Sequence, residues 1–314
     1  MQADAIVIGA GVSGLSTAVV LAERGHAVVV VADEDDGGST SYAAGAMCGP
    51  DFWPAGTVEA GWERTSRAAF RDLASRPGTG IHLTSALLVA EGASSFPPVD
   101  ADFDPRPCDT DELPPGFGGG VRVTIATANM PAYLAYLRDR LAEARGRVEA
   151  GRFASLSEAA AQAPLVANCA GMGARALADD PTLVPVRGQH VVVANPGVDE
   201  LYFQMTFGHT WTSWMPHGDE VVLGGIAQAG DWRRDPDPEI AERILEGCTR
   251  LEPRFADAET LEHRVGLRPG RPRVRVEAEE VDGARCVHNY GHGGTGVILS
   301  WGCAHDAADL LTGP

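Results

Sequence analysis

Three glycines spaced Gly9-x-Gly11-x-x-Gly14 follow an apolar tetrapeptide, AIVI (5–8), and open a helical pattern. That spacing suits a pyrophosphate. The first glycine allows a tight turn, the second lets backbone approach the anion, and the third lets helix pack closely on strand. The helix N-terminus then faces the negative charge. A second apolar strand, AVVVVAD (27–33), ends in Asp33, 19 residues after Gly14. A carboxylate there accepts ribose hydroxyls. A lone GxGxxG means little, but set in a β-α-β unit with Asp33 it marks a dinucleotide site. NAD and FAD share the fingerprint, so these residues alone leave the choice between them open.

What the chain lacks narrows the chemistry further. Its 314 residues include no lysine; all 25 basic residues are arginine, against 43 acidic ones. Schiff-base chemistry needs a lysine amine, and a Walker-type phosphate loop needs its lysine, so both are excluded. A formal net charge of −18 argues against nucleic-acid and anionic-membrane partners, which call for basic patches. Six cysteines (48, 108, 169, 248, 286, 303) form no CxxC and no Cys/His pair with metal-site spacing. No metal is expected, and the thiols read as reduced ones of a cytoplasmic protein. No apolar run reaches the roughly 18 residues of a membrane span, and no basic leader precedes the first strand, so no signal peptide is expected.

The elements that must position these residues follow from periodicity. Leu15 to Arg24 is helical and Gly25 ends it. From about 50 to 120, frequent Pro and Gly, the segment IHLTSALLVAEG (81–92) and the turn PPGFGGG (114–120) read as strands and loops of another lobe. A helix is expected at about 130–145, with Asn129 as N-cap and Pro131 in its first turn. LVANCAG (165–171) is a buried strand ending in glycine, with a helix beginning at 174–175. Segments 187–194, 200–207 and 219–227 alternate like antiparallel strands, and 238–253 is an amphipathic helix. The chain closes as strand, glycine turn and helix.

GAGVSG with Ala18, Leu21 and RGHAVVVVAD resembles the amino-terminal signature of FAD-dependent oxidoreductases. LVANCAG resembles their second strand–glycine element, and HNYGHGGTGV (288–297) the segment that brings backbone N–H groups to the flavin pyrimidine ring. Together they favour FAD. Nearly the whole chain then resembles the D-amino-acid oxidase family, through YAAG (42–45), ANCAG (167–171), VRGQ (186–189), LGGIAQAGDW (223–232), EGCTRLEP (246–253), GLRPGRP (266–272) and HNYGHGGTGVILSWGCA (288–304).

The resemblance implies an α/β fold with a Rossmann-type FAD-binding domain and an inserted antiparallel-sheet substrate domain. The expected division is 1–48, 126–186 and 268–314 for FAD, and 49–125 and 187–267 for substrate. It also implies non-covalent FAD and oxidation of an amino acid to an imino acid by hydride transfer to the flavin. Oxygen reoxidises the flavin to give hydrogen peroxide, and water releases the 2-oxo acid. The partners are thus a small amino acid and O2; a homodimer is left open. Arg268 falls on the family's substrate-carboxylate arginine, apt because a planar guanidinium grips a carboxylate with two parallel bonds. Gly294 falls on the glycine whose carbonyl accepts the substrate amine. The implied cofactor set is Gly9, Gly11, Val12, Ser13, Gly14, Asp33, Ser39, Thr40, Ala44, Gly45, Phe153, Cys169, Gly171 and Arg268. From the glycine turn it adds Gly291, Gly293, Gly294, Thr295, Gly296, Val297 and Ile298.

Several positions depart from the family. His209 and Ser213 stand where vertebrate and yeast members place two tyrosines over the substrate, and the preceding loop, about 195–208, is shorter. Ala46 and Cys48 replace bulkier or amide side chains, Thr295 an aromatic, and Glu34 an arginine. His209 reads equally as a titratable group facing the substrate or a solvated loop histidine. Trp211, Trp214 and Phe207 are candidates to refill the wall, with core packing the competing role for at least one. The rival readings are a glycine- or sarcosine-type amine oxidase, a flavin dehydrogenase, and a flavin-binding module without turnover. The absent lysine counts against the sarcosine type, whose members use one to activate oxygen.

Overall fold

A computed structural model describes residues 3–33, 38–50, 52–92, 96–206 and 208–313. The expectations for Glu34 and Phe207 lie outside these. Among the described residues no helix is long and apolar enough to cross a membrane.

Among the described residues one 15-stranded sheet runs through the fold, and its two ends differ in character. At one end Arg147–Ala150, Val28–Ala32, Ala5–Ile8, Leu165–Asn168 and Ala284–His292 lie parallel in that order. Ala5–Ile8 is buried at all four positions, as expected for a strand covered on both faces. Helix Val12–Glu23 is buried along most of its length, as is the terminal helix Gly296–Thr312. They share a core with Met130–Glu143 and Val58–Ala74. At the other end Val184–Ala194, Glu220–Ile226, Thr210–His217 and Leu201–Met205 form an antiparallel run; Ile81–Ala90 then joins Leu201–Met205 in parallel and pairs antiparallel with Gly119–Ala128. Helix Pro238–Leu251 packs on this part through Ile240, Ala241, Ile244 and Cys248. The 22-residue strand Thr260–Val281 joins the two ends, pairing with Val184–Ala194 along one half and Ala284–His292 along the other.

Two local readings need correction. The stretch 50–120, read as strands and loops, contains the 17-residue helix Val58–Ala74. Its buried residues Trp62, Ser66, Phe70 and Leu73 recur every three to four positions, and Thr57 caps it by accepting from the Ala60 N–H; the surrounding Pro and Gly mask that stripe. The segments around 187–194 and 219–227 do not alternate, and positions 221–226 are all buried. Positions 187–193 are all buried, because helix Pro238–Leu251 covers one face and the other packs against Leu201 and Met215.

Candidate active site

A cavity of about 700 Å³ opens where the first strand, Leu165–Asn168 and the glycine turn end, at the carboxyl edge where α/β sheets bind ligands. Of the expected cofactor residues, Gly9, Gly11, Val12, Ser13, Asp33, Ser39, Thr40 and Ala44 line it. So do Phe153, Cys169, Gly171, Arg268, Gly293, Gly294, Gly296 and Val297. Gly14, Gly45, Gly291, Thr295 and Ile298 are not in its wall. Gly14 works by closeness: a Cβ there would sit 1.8 Å from the Gly9 carbonyl oxygen, so only glycine lets this helix lie on this strand. Gly45 stands against Met215, where a Cβ would meet Sδ at 2.7 Å. Gly291 has a left-handed φ of 85°, Thr295 Oγ1 donates to the His292 carbonyl, and Ile298 is buried in the helix that follows.

At the nucleotide end, Val12 N–H donates to Ser41 Oγ at 3.0 Å, which ties the loop 38–44 to the helix N-terminus. Asp33 stands at the mouth in a two-pronged pair with Arg152, at 3.2 and 2.9 Å. That hydrogen bond holds its carboxyl below the usual range. At the turn, Asn289 Oδ1 and His292 Nε2 are buried without a partner, and both residues line the cavity. Orphaned buried polar atoms are rare and mark a missing ligand or water. With the Gly9–Gly14 cradle, they fit a dinucleotide whose ring system lies at the glycine turn.

The opposite end is built around Arg268. Its guanidinium donates through Nη1 to the Ile226 carbonyl at 2.8 Å and lies 5.8 Å from the Trp211 ring centroid. Gly188 sits beneath it so closely that a Cβ would be 2.5–2.6 Å from Cζ, Nη1 and Nη2. Burial alone draws its pKa down to about 10. It therefore stays a cation at neutral pH, without an ion pair among the described residues, while Arg271, Arg273 and Arg275 follow it along the strand. Arg271 and Arg275 are engaged with Asp180 and Glu277 respectively. The expected Gly294 approaches Arg268, with Cδ 3.7 Å from a Cβ built there.

The other expectations separate. His209 is exposed in the turn before the strand Thr210–His217 and absent from the cavity wall; Ser213 is also absent from that wall, but buried with its Oγ unpaired. Trp214 belongs to the core, stacked on Tyr202 with centroids 4.3 Å apart; Trp211 is the tryptophan beside Arg268. Cys48 is buried, and burial pushes its thiol far up, so it packs as an apolar side chain.

Sequence reasoning missed His190. Its Nδ1–H donates to the Ala43 carbonyl at 2.8 Å, and the ring lines the cavity near Arg268. Burial, with the Arg268 charge second, holds its pKa near about 4. It is therefore neutral, with Nε2 as an acceptor. The only available signal was its place directly after VRGQ. The structure also gathers Glu279, Cys286 and His288, with ligand atoms within 4.8 Å of one another. Strand pairing, invisible to linear spacing, makes that group, and both His288 ring nitrogens already meet Asn168 and Glu279.

Fold and site together define a flavin-dependent oxidoreductase, and the chain belongs to the FAD dependent oxidoreductase family, which it matches over residues 4–310. Among known proteins it is 46% identical over 312 residues to a D-amino-acid oxidase of Rubrobacter xylanophilus, covering 98% of this chain and 95% of that one. It is 40% identical to a D-amino-acid oxidase of Streptomyces coelicolor, covering 98% and 97%. Its fold matches the glycine oxidase structure from Geobacillus kaustophilus with a TM-score of 0.82 at 20% identity, over 99% and 95% of the two chains.

Proposed function

We propose that this protein oxidises D-amino acids to imino acids, which hydrolyse to 2-oxo acids, with O2 as the final acceptor and H2O2 as product. The observation that carries the reading is Arg268: a desolvated guanidinium in the cavity wall with no acidic partner among the described residues. FAD, when bound, supplies the two-electron acceptor for the substrate Cα hydride and the route of those electrons to oxygen.

The chain's own residues do the rest by positioning. Arg268 grips the substrate carboxylate as a fork and fixes its plane. The Ile226 carbonyl, the Trp211 ring and the closely apposed Gly188 hold that fork in place before substrate arrives. The Gly294 carbonyl accepts from the substrate amine, which orients the Cα–H bond. No charged base is required, and neutral His190 adds none. Such alignment can contribute most of the acceleration of a two-partner step. Gly9, Gly11 and Ser13 would carry the pyrophosphate, Asp33 the ribose, and residues 293–297 the ring system. The same reading takes the parallel part of the sheet as the FAD lobe and the antiparallel part as the substrate lobe. It also carries non-covalent FAD, released by acid precipitation, and a cytoplasmic homodimer, tested by fractionation and sedimentation.

The purified protein is expected to be yellow, to bleach with a suitable D-amino acid under anaerobic conditions, and to release peroxide in air. Arg268→Ala removes two charge-assisted bonds, each worth about 1.5–3 kcal/mol. It should lower kcat/KM by roughly 10²–10⁴-fold with FAD retained. A protein that binds FAD but is bleached by no amino acid would overturn the reading.

A further inference from the structure

Arg152, Arg234 and Arg268 stand in the cavity wall. Arg152 is paired with Asp33, and Arg268 donates to the Ile226 carbonyl. Arg234 reaches the wall from the loop 230–237, which leads into helix Pro238–Leu251. Its Nη1 donates to the Gly38 carbonyl at 3.2 Å, and it has no ion-pair partner among the described residues. Most of its N–H donors are therefore unspent.

The backbone on either side of Arg234 is pinned. Arg187 is fully buried and donates to the carbonyls of Arg233 at 3.1 Å and Asp235 at 2.9 Å. Gln189 accepts from the Asp237 N–H and donates to the Asp237 carbonyl, both at 2.9 Å. Burying a guanidinium against carbonyls, without a carboxylate, is costly. What Arg187 secures by it is the loop that carries Arg234. The neighbouring Arg233 is paired with Asp231 and Asp237 and is absent from the cavity wall.

Gly38 begins the loop 38–44, which Ser41 ties to the N-terminus of helix Val12–Glu23. That is where the glycine cradle suits a diphosphate, and the cradle residues 9–14 include no cation. The Arg234 charge also bears on Asp33, the carboxylate read as the ribose partner. Asp33 is already held by Arg152, which leaves the cofactor's phosphates as the anion for Arg234. A guanidinium fork meets phosphate oxygens with parallel, charge-assisted bonds.

We propose that Arg234 binds the diphosphate of FAD, so that a loop far from the glycine cradle in sequence supplies the cation the cradle lacks. The proposal rests on FAD occupying this cavity, as the reading above has it, and not on which amino acid is oxidised. The test follows FAD binding to the full chain by flavin fluorescence, with ADP as competitor. Arg234→Ala should raise the FAD Kd by about tenfold or more. ADP carries the adenosine and two phosphates without the flavin, so its competition constant should rise by a similar factor. Added salt should weaken FAD binding to the unaltered protein more than to Arg234→Ala. Arg234→Lys, a point charge without the fork, should fall between the two, and Arg233→Ala should leave both constants unchanged. Unchanged FAD affinity in Arg234→Ala, a weaker FAD with ADP unmoved, or an equal loss in Arg233→Ala would overturn the proposal while leaving the oxidase intact. Failure of the unaltered chain to bind FAD would remove both.

Discussion

Gly188→Ala tests the carboxylate grip without touching the arginine that makes it. The new methyl carbon would stand 2.5–2.6 Å from three guanidinium atoms. Ordinary contact begins near 3.4 Å, so the group must retreat by about 0.9 Å (3.4 − 2.5). The three nearest atoms all belong to the Arg268 side chain, and Gly188 pairs through its backbone with Gly266. The guanidinium yields rather than the sheet. A retreat of that size breaks one of the two charge-assisted bonds to a carboxylate, costing about 1.5–3 kcal/mol, or roughly 10–150-fold in binding. Misplacement of a positioning group by about 1 Å is independently expected to cost about 10²-fold. The assay is steady-state kcat/KM with the best D-amino acid, alongside the flavin-to-protein absorbance ratio as a check that FAD is held. Full flavin content with unchanged kcat/KM would refute the placement of Arg268 over Gly188.

Three further outcomes follow from the geometry. Gly14→Ala would drive a Cβ to 1.8 Å from the Gly9 carbonyl oxygen, so the purified variant should carry little FAD; a normal flavin spectrum would contradict the strand–helix contact. Asp180 is buried and accepts from Arg271 at 2.8 Å and from Tyr290 at 3.0 Å. Asp180→Asn leaves Arg271 without its counter-charge, at about 1–3 kcal/mol, and should lower Tm by about 3–10 °C; an unshifted melt would deny the network its role. His190, His217 and His292 are each held near about 4, chiefly by burial, against 6.5 when unfolded. Between those values the unfolded chain binds more protons, so stability should fall as pH drops from about 6.5 to about 4, by up to roughly 4 kcal/mol per pH unit. Calorimetry across that window checks it, and a flat profile would mean these rings are not neutral in the fold.

How far the sequence speaks depends on whether a residue acts through local spacing or through distant partners. The β-α-β unit was legible because Gly9, Gly11, Gly14 and Asp33 work within one supersecondary element, and their spacing is the mechanism. The helix Val58–Ala74 was hidden although its stripe is regular, because punctuation by Pro and Gly on either side outweighs a period carried by only five buried residues, two of them polar. His190, Ser213 and Trp211 meet only after three strands align, so no window of sequence contains them together. His209 shows the converse. Its position in a pattern left pocket and solvent equally open, and the turn before Thr210 carries it into solvent.

The strand Thr260–Val281 changes partner at Gly270, which pairs with Val184 on one side and His292 on the other. Arg268 lies two residues before that exchange, and Gly294 two residues beyond His292. The separation between Arg268 and the glycine turn is therefore set by a gauge of hydrogen-bonded backbone within one sheet. Loops at the rim can lengthen, shorten or swing without altering it. The walls of the cavity can change while the separation between Arg268 and the glycine turn stays fixed.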